Sequence, residues 1–286
     1  MPTFSNKSRR NFLKKFAALS ALTASSLPAA VFAQQKKALL QRTVTPISPN
    51  DRLQIATIGM GIIGFIDTVT ALSVPGVELV SVCDLYDGRL ERAKEVFGKQ
   101  IKTTKDYKEI LDSKEIDAVL ICTPDHWHAR IASDALRASK HVYCEKPMVQ
   151  NIADGQKLIR LEKSSNCVLE VGSQFVSSIV FEEARKQFEA GAIGELNMIE
   201  ARYNRNSAIG AWQYTIPPDA SSETVDWQRF ISGTKKRDFD PMRFFRWRNY
   251  WDYGTGIAGD LFVHLFSGLH YILSVSYTHL TLPTKA

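Results

Sequence analysis

The run Ile58-Gly59-Met60-Gly61-Ile62-Ile63-Gly64 spells G-x-G-x-x-G. Glycines at this spacing do specific work if a strand precedes them and a helix follows. Gly59 permits a tight turn, Gly61 lets a pyrophosphate approach the backbone, and Gly64 lets helix and strand pack closely. A helix opening at Ile62 and Ile63 offers free N–H groups and a positive dipole end to phosphates. Asp84 lies 20 residues past Gly64, at the end of Val82-Cys83-Asp84. An acid there accepts both ribose hydroxyls of NAD and repels the extra phosphate of NADP. Leu85 and Tyr86 follow it, with no arginine directly after, so NAD is favoured.

Three further groupings carry reactive side chains. Cys122-Thr123-Pro124-Asp125-His126-Trp127-His128-Ala129 follows a short apolar run, and Glu145-Lys146-Pro147 ends another. Residues just past parallel strands are where doubly wound sheets bind ligands. Thr123, Pro124, Glu145 and Lys146 are therefore candidate cofactor contacts, and Gln174, after Val168–Val171, is expected to border a nicotinamide. In Gly254-Thr-Gly256-Ile-Ala-Gly259-Asp260-Leu-Phe-Val-His264 an acid and a histidine stand four apart. That spacing puts them on one helical face, where the carboxylate could orient the imidazole. His126 is read as facing cofactor or substrate and His128 as a helix-start residue. The pair lacks the further Cys/His spacing of a zinc site, so no metal is expected. Arg243, Arg246, Trp247, Arg248, Tyr250 and Trp251 suit sugar stacking and hydroxyl binding, and equally suit packing between domains.

The elements that position these residues alternate in type. Strands are expected at Leu53–Ile58, Val77–Cys83, Ala118–Ile121, His141–Cys144 and Val168–Val171. Helices are expected near Ile62–Leu72, Arg89–Phe97, Tyr107–Leu111, His128–Ser139 and Ile152–Ser164. Strands separated by helices imply βαβ units and a parallel sheet covered on both faces. After Gln174 the pattern changes to a helix over Ser178–Ala190, a longer alternating segment over Glu195–Tyr203, an irregular aromatic stretch, and a final helix near Asp260. The fold class is thus α/β: a doubly wound Rossmann domain over residues 51–174, then part of an α+β substrate domain over 175–273. Cys83, Cys122, Cys144 and Cys167 fall at or beside strands without disulfide or metal spacing and read as free buried thiols.

The ends have a different character. Residues 1–33 carry Lys7, Arg9, Arg10, Lys14 and Lys15 and no acid, then an apolar run closing on Val31-Phe32-Ala33. This is the layout of an export signal, and the apolar run is too short and hydroxylated for a stable membrane span. Ser8-Arg9-Arg10-Asn11-Phe12-Leu13-Lys14 resembles the twin-arginine motif, so export to the periplasm of an already folded protein is expected. Residues 34–50 read as a linker. Ser274–Thr284 looks like the translation of a transposon-type sequencing adapter. No functional residue is therefore expected in 274–286, and the native remainder of the second domain is expected to be missing. The charge follows these ends. Of 36 Lys and Arg, the five in the signal and Lys285 account for the whole excess, leaving 30 against 30 acids. The basic balance is no argument for a nucleic-acid partner.

Taken together, the glycine loop, T-P-x-H-W-H-A, E-K-P and D-x-x-x-H resemble the Gfo/Idh/MocA oxidoreductases over Arg52–Leu273. The resemblance implies a Rossmann domain paired with a second α/β domain that helps form the substrate site and oligomer contacts. It assigns Lys146 as the active-site lysine and Asp260 with His264 as the catalytic pair. The chemistry suits these roles: histidine takes a hydroxyl proton near neutral pH, and lysine steadies a developing negative oxygen. The chain departs from the family pattern at Phe262, where glycine is usual, which bears on pocket shape.

The expected activity is NAD-dependent hydride transfer on a sugar, sugar derivative or polyol, by a protein that is a homo-oligomer when full length. Two alternatives stand beside it. The motifs also resemble glycoside hydrolase family 109, whose members oxidise a sugar transiently, eliminate the aglycone and return the hydride. The third is a sugar- or NAD-binding protein without catalysis.

Overall fold

The computed structural model describes Ser48 and residues 51–204 and 208–274. The export signal over 1–33, nearly all of the linker, and the adapter-like residues after Ser274 lie outside the described residues.

Six parallel strands form one sheet: β1 (Leu53–Ile58), β2 (Val77–Cys83), β3 (Lys102–Thr104), β4 (Ala118–Ile121), β5 (His141–Glu145) and β6 (Leu169–Gly172). Their order is β3-β2-β1-β4-β5-β6, so the chain winds outward in both directions from β1 and β4. The register pairs Ile58 with Cys83 on one side and with Ile121 on the other. Between the strands run α1 (Ile62–Leu72), α2 (Asp87–Phe97), α3 (Tyr107–Asp112), α4 (Asp125–Arg137) and α5 (Ile152–Ser164). A strand–helix alternation of this kind covers both sheet faces, because each crossover is right-handed.

Two apolar layers show the covering. On one face Ile58, Val119, Ile121 and Val142 pack with Ile110 of α3, Trp127, Ile131 and Leu136 of α4, and Leu158 of α5. On the other, Val82 packs with Met60, Leu90 and Ala93, joined by Phe65. Burying one side chain of this size stabilises the fold by about 1.5–3 kcal/mol, so these layers anchor the strand ends from which the loops emerge.

Helix α4 starts three residues earlier than the sequence pattern predicts. Pro124, at φ −59° and ψ 153°, sits immediately before the helix, and Asp125 is already its first residue. A proline there gives up no helical hydrogen bond, so it marks the start and breaks nothing. His126 and His128 are consequently both inside the first turn.

Beyond β6, a 3₁₀ turn (Gln174–Ser177) leads into α6 (Ile179–Glu189). The alternating segment 195–203 has no ladder partner among the described residues. An isolated extended segment has nothing to take its N–H and C=O groups. Short helices follow: α7 (Trp227–Phe230), α8 (Pro241–Phe245), a π turn (Ala258–Phe262), and α9 (Val263–Leu273). The aromatic stretch forms a third core of Tyr86, Trp227, Phe230, Phe244, Phe245 and Tyr253. It is stitched to the end of β2 by Asp226 N–H donating to the Leu85 carbonyl at 2.8 Å and Asp87 N–H to Thr224 at 3.0 Å. Helix α9 lies on α6, where a β-carbon at Gly268 would come within 2.2 Å of the Phe181 ring.

Candidate active site

The glycine loop, Asp84, Thr123, Pro124, Glu145, Lys146 and Gln174 all emerge at the carboxyl ends of their strands. The strand order reverses between β1 and β4, which is where an open sheet leaves a crevice for a ligand. The loop is built by exclusion. Gly59, at φ +95°, lies so close to β4 that a β-carbon would be 2.7 Å from the Cys122 carbonyl. At Gly64 a β-carbon would meet the Gly59 oxygen at 2.0 Å. Gly61 differs: a β-carbon there would have nothing within 4 Å. No side chain caps α1, and the hydroxyl of Thr123 is buried without a partner. Open space at the middle glycine, an uncapped helix start at Ile62 and Ile63, and an unpaired hydroxyl fit a dinucleotide phosphate bridge.

Asp84 is 5% exposed and accepts from Met60 N–H at 2.7 Å and Tyr86 N–H at 2.9 Å. Its carboxylate thus ties the glycine loop to the end of β2. Arg89, in the first turn of α2, brings a guanidinium nitrogen within 3.4 Å of both its oxygens. No arginine follows the acid directly in the sequence, so local spacing does not mark this one. A spacing of five across a strand–helix junction brings the two together.

Lys146 and Asp260 meet 114 residues apart in sequence: Nζ donates to Asp260 Oδ1 at 3.1 Å and to its backbone carbonyl at 3.0 Å. Both side chains are nearly buried. The Lys146–Pro147 peptide bond is cis. Two further groups close on the same carboxylate. Arg248 Nε donates to Oδ1 at 3.1 Å, and the Trp212 indole N–H donates to Oδ2 at 2.8 Å. Burial by itself would raise the pKa of Asp260, but the Lys146 and Arg248 cations outweigh it and hold the carboxyl below its usual range. Arg248 is in turn stacked 4.2 Å from the Trp247 ring. Trp212 was absent from the sequence reading, and no local pattern marks it.

The expected hydrogen bond between Asp260 and His264 is not formed. Asp260 sits in a π turn and His264 in the α-helix that follows, so the two depart from a regular i, i+4 pair. The carboxylate is occupied by Lys146, Arg248 and Trp212. His264 packs 5.4 Å from the Phe175 ring, and its Nδ1 is buried without a partner. Burial first, and the Lys146 charge second, push its pKa below the ordinary histidine value, against the opposing pull of Asp260. The ring is therefore neutral at neutral pH and free to take a proton.

His126 is placed differently from the sequence reading. Its ring is held among Phe230 and Tyr253, each with centroid at 5.2 Å, and Nε2 donates to the Phe230 carbonyl at 3.0 Å. Burial carries its pKa down to about 4. It wedges α4 against the aromatic core, a role set by the early start of the helix. Asp125 is also structural and was not foreseen. Its carboxylate accepts from Thr255 N–H at 3.0 Å and Thr255 Oγ1 at 2.7 Å, tethering the loop that leads to Asp260. Glu145 lies beside Tyr143, whose hydroxyl is 3.3 Å away. Burial, then the charge of Asp67, lifts its pKa. Gln174 is exposed at the end of β6. Arg243 pairs with Asp252 at 2.9 Å and stacks on Tyr250, while Trp251 faces solvent.

A family described as "Oxidoreductase family, NAD-binding Rossmann fold", Gfo/Idh/MocA, matches residues 53–173. The match covers the Rossmann domain of this chain. An inositol 2-dehydrogenase of Salmonella typhimurium is 30% identical over 176 residues, 60% of this chain and 51% of that protein. A glycosyl hydrolase family 109 protein of a Shewanella species is 31% identical over 215 residues, 69% of this chain and 46% of that one. An NAD-binding protein from Listeria innocua shares the fold, with a TM-score of 0.55 at 24% identity over 76% of this chain and 54% of its own. The chain thus spans about half the length of the curated relatives it matches. For the Gfo/Idh/MocA domain the G-x-G-x-x-G loop, Asp84 and Glu145-Lys146-Pro147 all lie within the matched span, whereas Asp260 and His264 lie outside it.

Proposed function

We propose that the full-length protein is an oxidoreductase that moves a hydride between a sugar or polyol carbinol and a nicotinamide cofactor. The observation that carries this reading is the buried Lys146–Asp260 pair on the sheet edge that also bears the glycine loop. Gly59, Gly61 and Gly64, the helix start at Ile62 and Ile63, and Thr123 would hold the cofactor, which supplies the hydride acceptor. His264, neutral and with an unpaired ring nitrogen, takes the hydroxyl proton of the substrate. Lys146 Nζ donates to the same oxygen and steadies its negative charge. Asp260 aims the lysine, and Arg248 and Trp212 fix Asp260.

NAD is the preferred cofactor in this reading, because an acid at the end of the second strand repels the extra phosphate of NADP. Arg89 beside it reduces that repulsion, so the preference is one of degree. The family 109 relative extends over more of this chain than the dehydrogenase relative, and this supports a second reading. There the reduced cofactor would give the hydride back after the aglycone has left and water has added, and the net reaction is hydrolysis. The residues that act on the carbinol are the same in both.

Incubating full-length protein with NAD and a panel of sugars, polyols and nitrophenyl glycosides separates the two. Accumulation of a keto product with reduced nicotinamide supports the dehydrogenase. Release of nitrophenol without net reduction supports the glycosidase. We also read the protein as exported by the twin-arginine route in a folded, cofactor-loaded form and as a homo-oligomer when full length.

A further inference from the structure

His128 is 1% exposed, in the first turn of α4. Its two ring nitrogens both face backbone carbonyls: Nδ1 is 2.6 Å from the Pro147 oxygen, and Nε2 is 2.8 Å from the Thr123 oxygen. A carbonyl oxygen only accepts, so each ring nitrogen must bring a proton to make its bond. A neutral imidazole has one N–H and would set a lone pair against an oxygen at one end. The geometry therefore calls for the doubly protonated ring. We propose that His128 is a buried imidazolium that staples the loop after β4 to the loop after β5, and so acts as a positioning residue for Lys146. This deepens the oxidoreductase reading above and rests on the role given there to Lys146.

The two anchors explain why a staple belongs here. Thr123 borders the glycine loop, and Pro147 directly follows Lys146. Adjacent parallel strands fix the two chains only as far as Ile121 and Cys144 in their register. Beyond those residues no ladder bond holds the loops together. The donors of His128 continue the connection past the end of the sheet. A hydrogen bond from a charged donor is roughly twice as strong as a neutral one, and more rigid in a buried setting.

The groups around the ring favour the charge. On its own helix are Asp125, whose carboxylate is turned toward Thr255, and His126, which burial keeps neutral. From β5 come Cys144 and Glu145. Burial opposes the cation, yet Cys144, Asp125 and the Pro147 carbonyl together outweigh it and carry the pKa up to about 10.

Ring nitrogen resonances of the chain labelled with ¹⁵N-histidine test the charge without any turnover. At about pH 8, above the ordinary histidine range, one of the six histidines should keep both nitrogens protonated, and its signals should vanish in His128→Asn. If every ring is neutral at that pH, the proposal is overturned. The positioning role is read in the full-length protein carrying the same substitution, which leaves one donor nitrogen where the charged ring has two. NADH affinity should hold within about twofold while kcat falls about tenfold, as expected for a misdirected group. An unchanged kcat, or equal loss of kcat and cofactor affinity, overturns the role. Should the variant not fold, the wild-type spectrum decides: a doubly protonated ring supports the proposal and a neutral one ends it. Because that spectrum needs no reaction, it stands even if the oxidoreductase reading fails.

Discussion

Lys146 Nζ lies 3.1 Å from Asp260 Oδ1, joining the end of the fifth strand to a π turn 114 residues later. This contact makes the Rossmann domain and the later segment one site. Removing one member of a nearly buried pair leaves the other charge uncompensated. In Asp260→Asn, Lys146 and Arg248 would face each other without an anion between them. The variant should lose stability on the order of 3 kcal/mol at neutral pH, read by denaturant unfolding. The sign with pH follows from the depressed carboxyl. Its contribution is present above the ordinary carboxylate value and is lost as pH falls through the lower folded one. The gap between wild type and variant should therefore close in acid, and a gap that does not depend on pH would contradict the assignment.

The neutral state of His264 sets the acid limb of the rate profile. With a folded pKa below the ordinary value of about 6.5, kcat/KM of the full-length enzyme should fall only at pH values under that point. Asp260 pulls this pKa upward, so Asp260→Asn should move the limb further toward acid. An acid limb at or above the ordinary histidine value would show that another group is titrating.

Two of the three glycines should fail in different ways. Gly64→Ala drives a methyl to 2.0 Å from the Gly59 oxygen and should cost several kcal/mol, about the upper range for an overpacked core site. Gly61→Ala meets no protein atom. Its stability should stay within about 0.5 kcal/mol of wild type, while NAD affinity falls at least about tenfold, or about 1.4 kcal/mol. Thermal unfolding and a cofactor titration on each variant distinguish the two, and equal affinity for NAD in Gly61→Ala would remove that residue from the cofactor site.

An enzyme exported with its cofactor must hold it tightly, since free NAD is scarce outside the cytoplasm. Purified full-length mature protein should carry NAD through gel filtration, detected by absorbance or mass after denaturation. Protein that emerges empty would argue against a loaded, exported form.

Much of the Rossmann domain could be read along the chain because its signals are local. Val77–Cys83 and Ala118–Ile121 are β-branched runs bounded by turn residues, and the structure begins and ends those strands at the same residues. The glycine loop is legible for the same reason: its three roles follow from three positions within one turn. Helix α4 starts at Asp125, three residues before the expected His128, because a proline fits just before a helix begins. That shift of three residues is what turns His126 into the aromatic core and places His128 between two carbonyls. The partners of Asp260 were not legible at all. Trp212 comes from a turn and Arg248 from a short 3₁₀ helix, and no periodicity marks which of such residues will meet a carboxylate from another segment. The spacing of Asp260 and His264 suggested a bonded pair, but a π turn changes the angle between successive residues, and sequence does not announce it.

The central claim is that Lys146 acts on the reacting oxygen of a carbinol beside a nicotinamide. It is tested most directly by following nicotinamide reduction by the full-length protein and its Lys146→Ala variant, with cofactor binding measured on both. The account predicts turnover by the wild type on at least one sugar or polyol, and a loss of kcat of at least about a thousandfold in the variant with NAD still bound. Unchanged turnover in Lys146→Ala would contradict it and return the chain to the reading of a sugar- or NAD-binding protein.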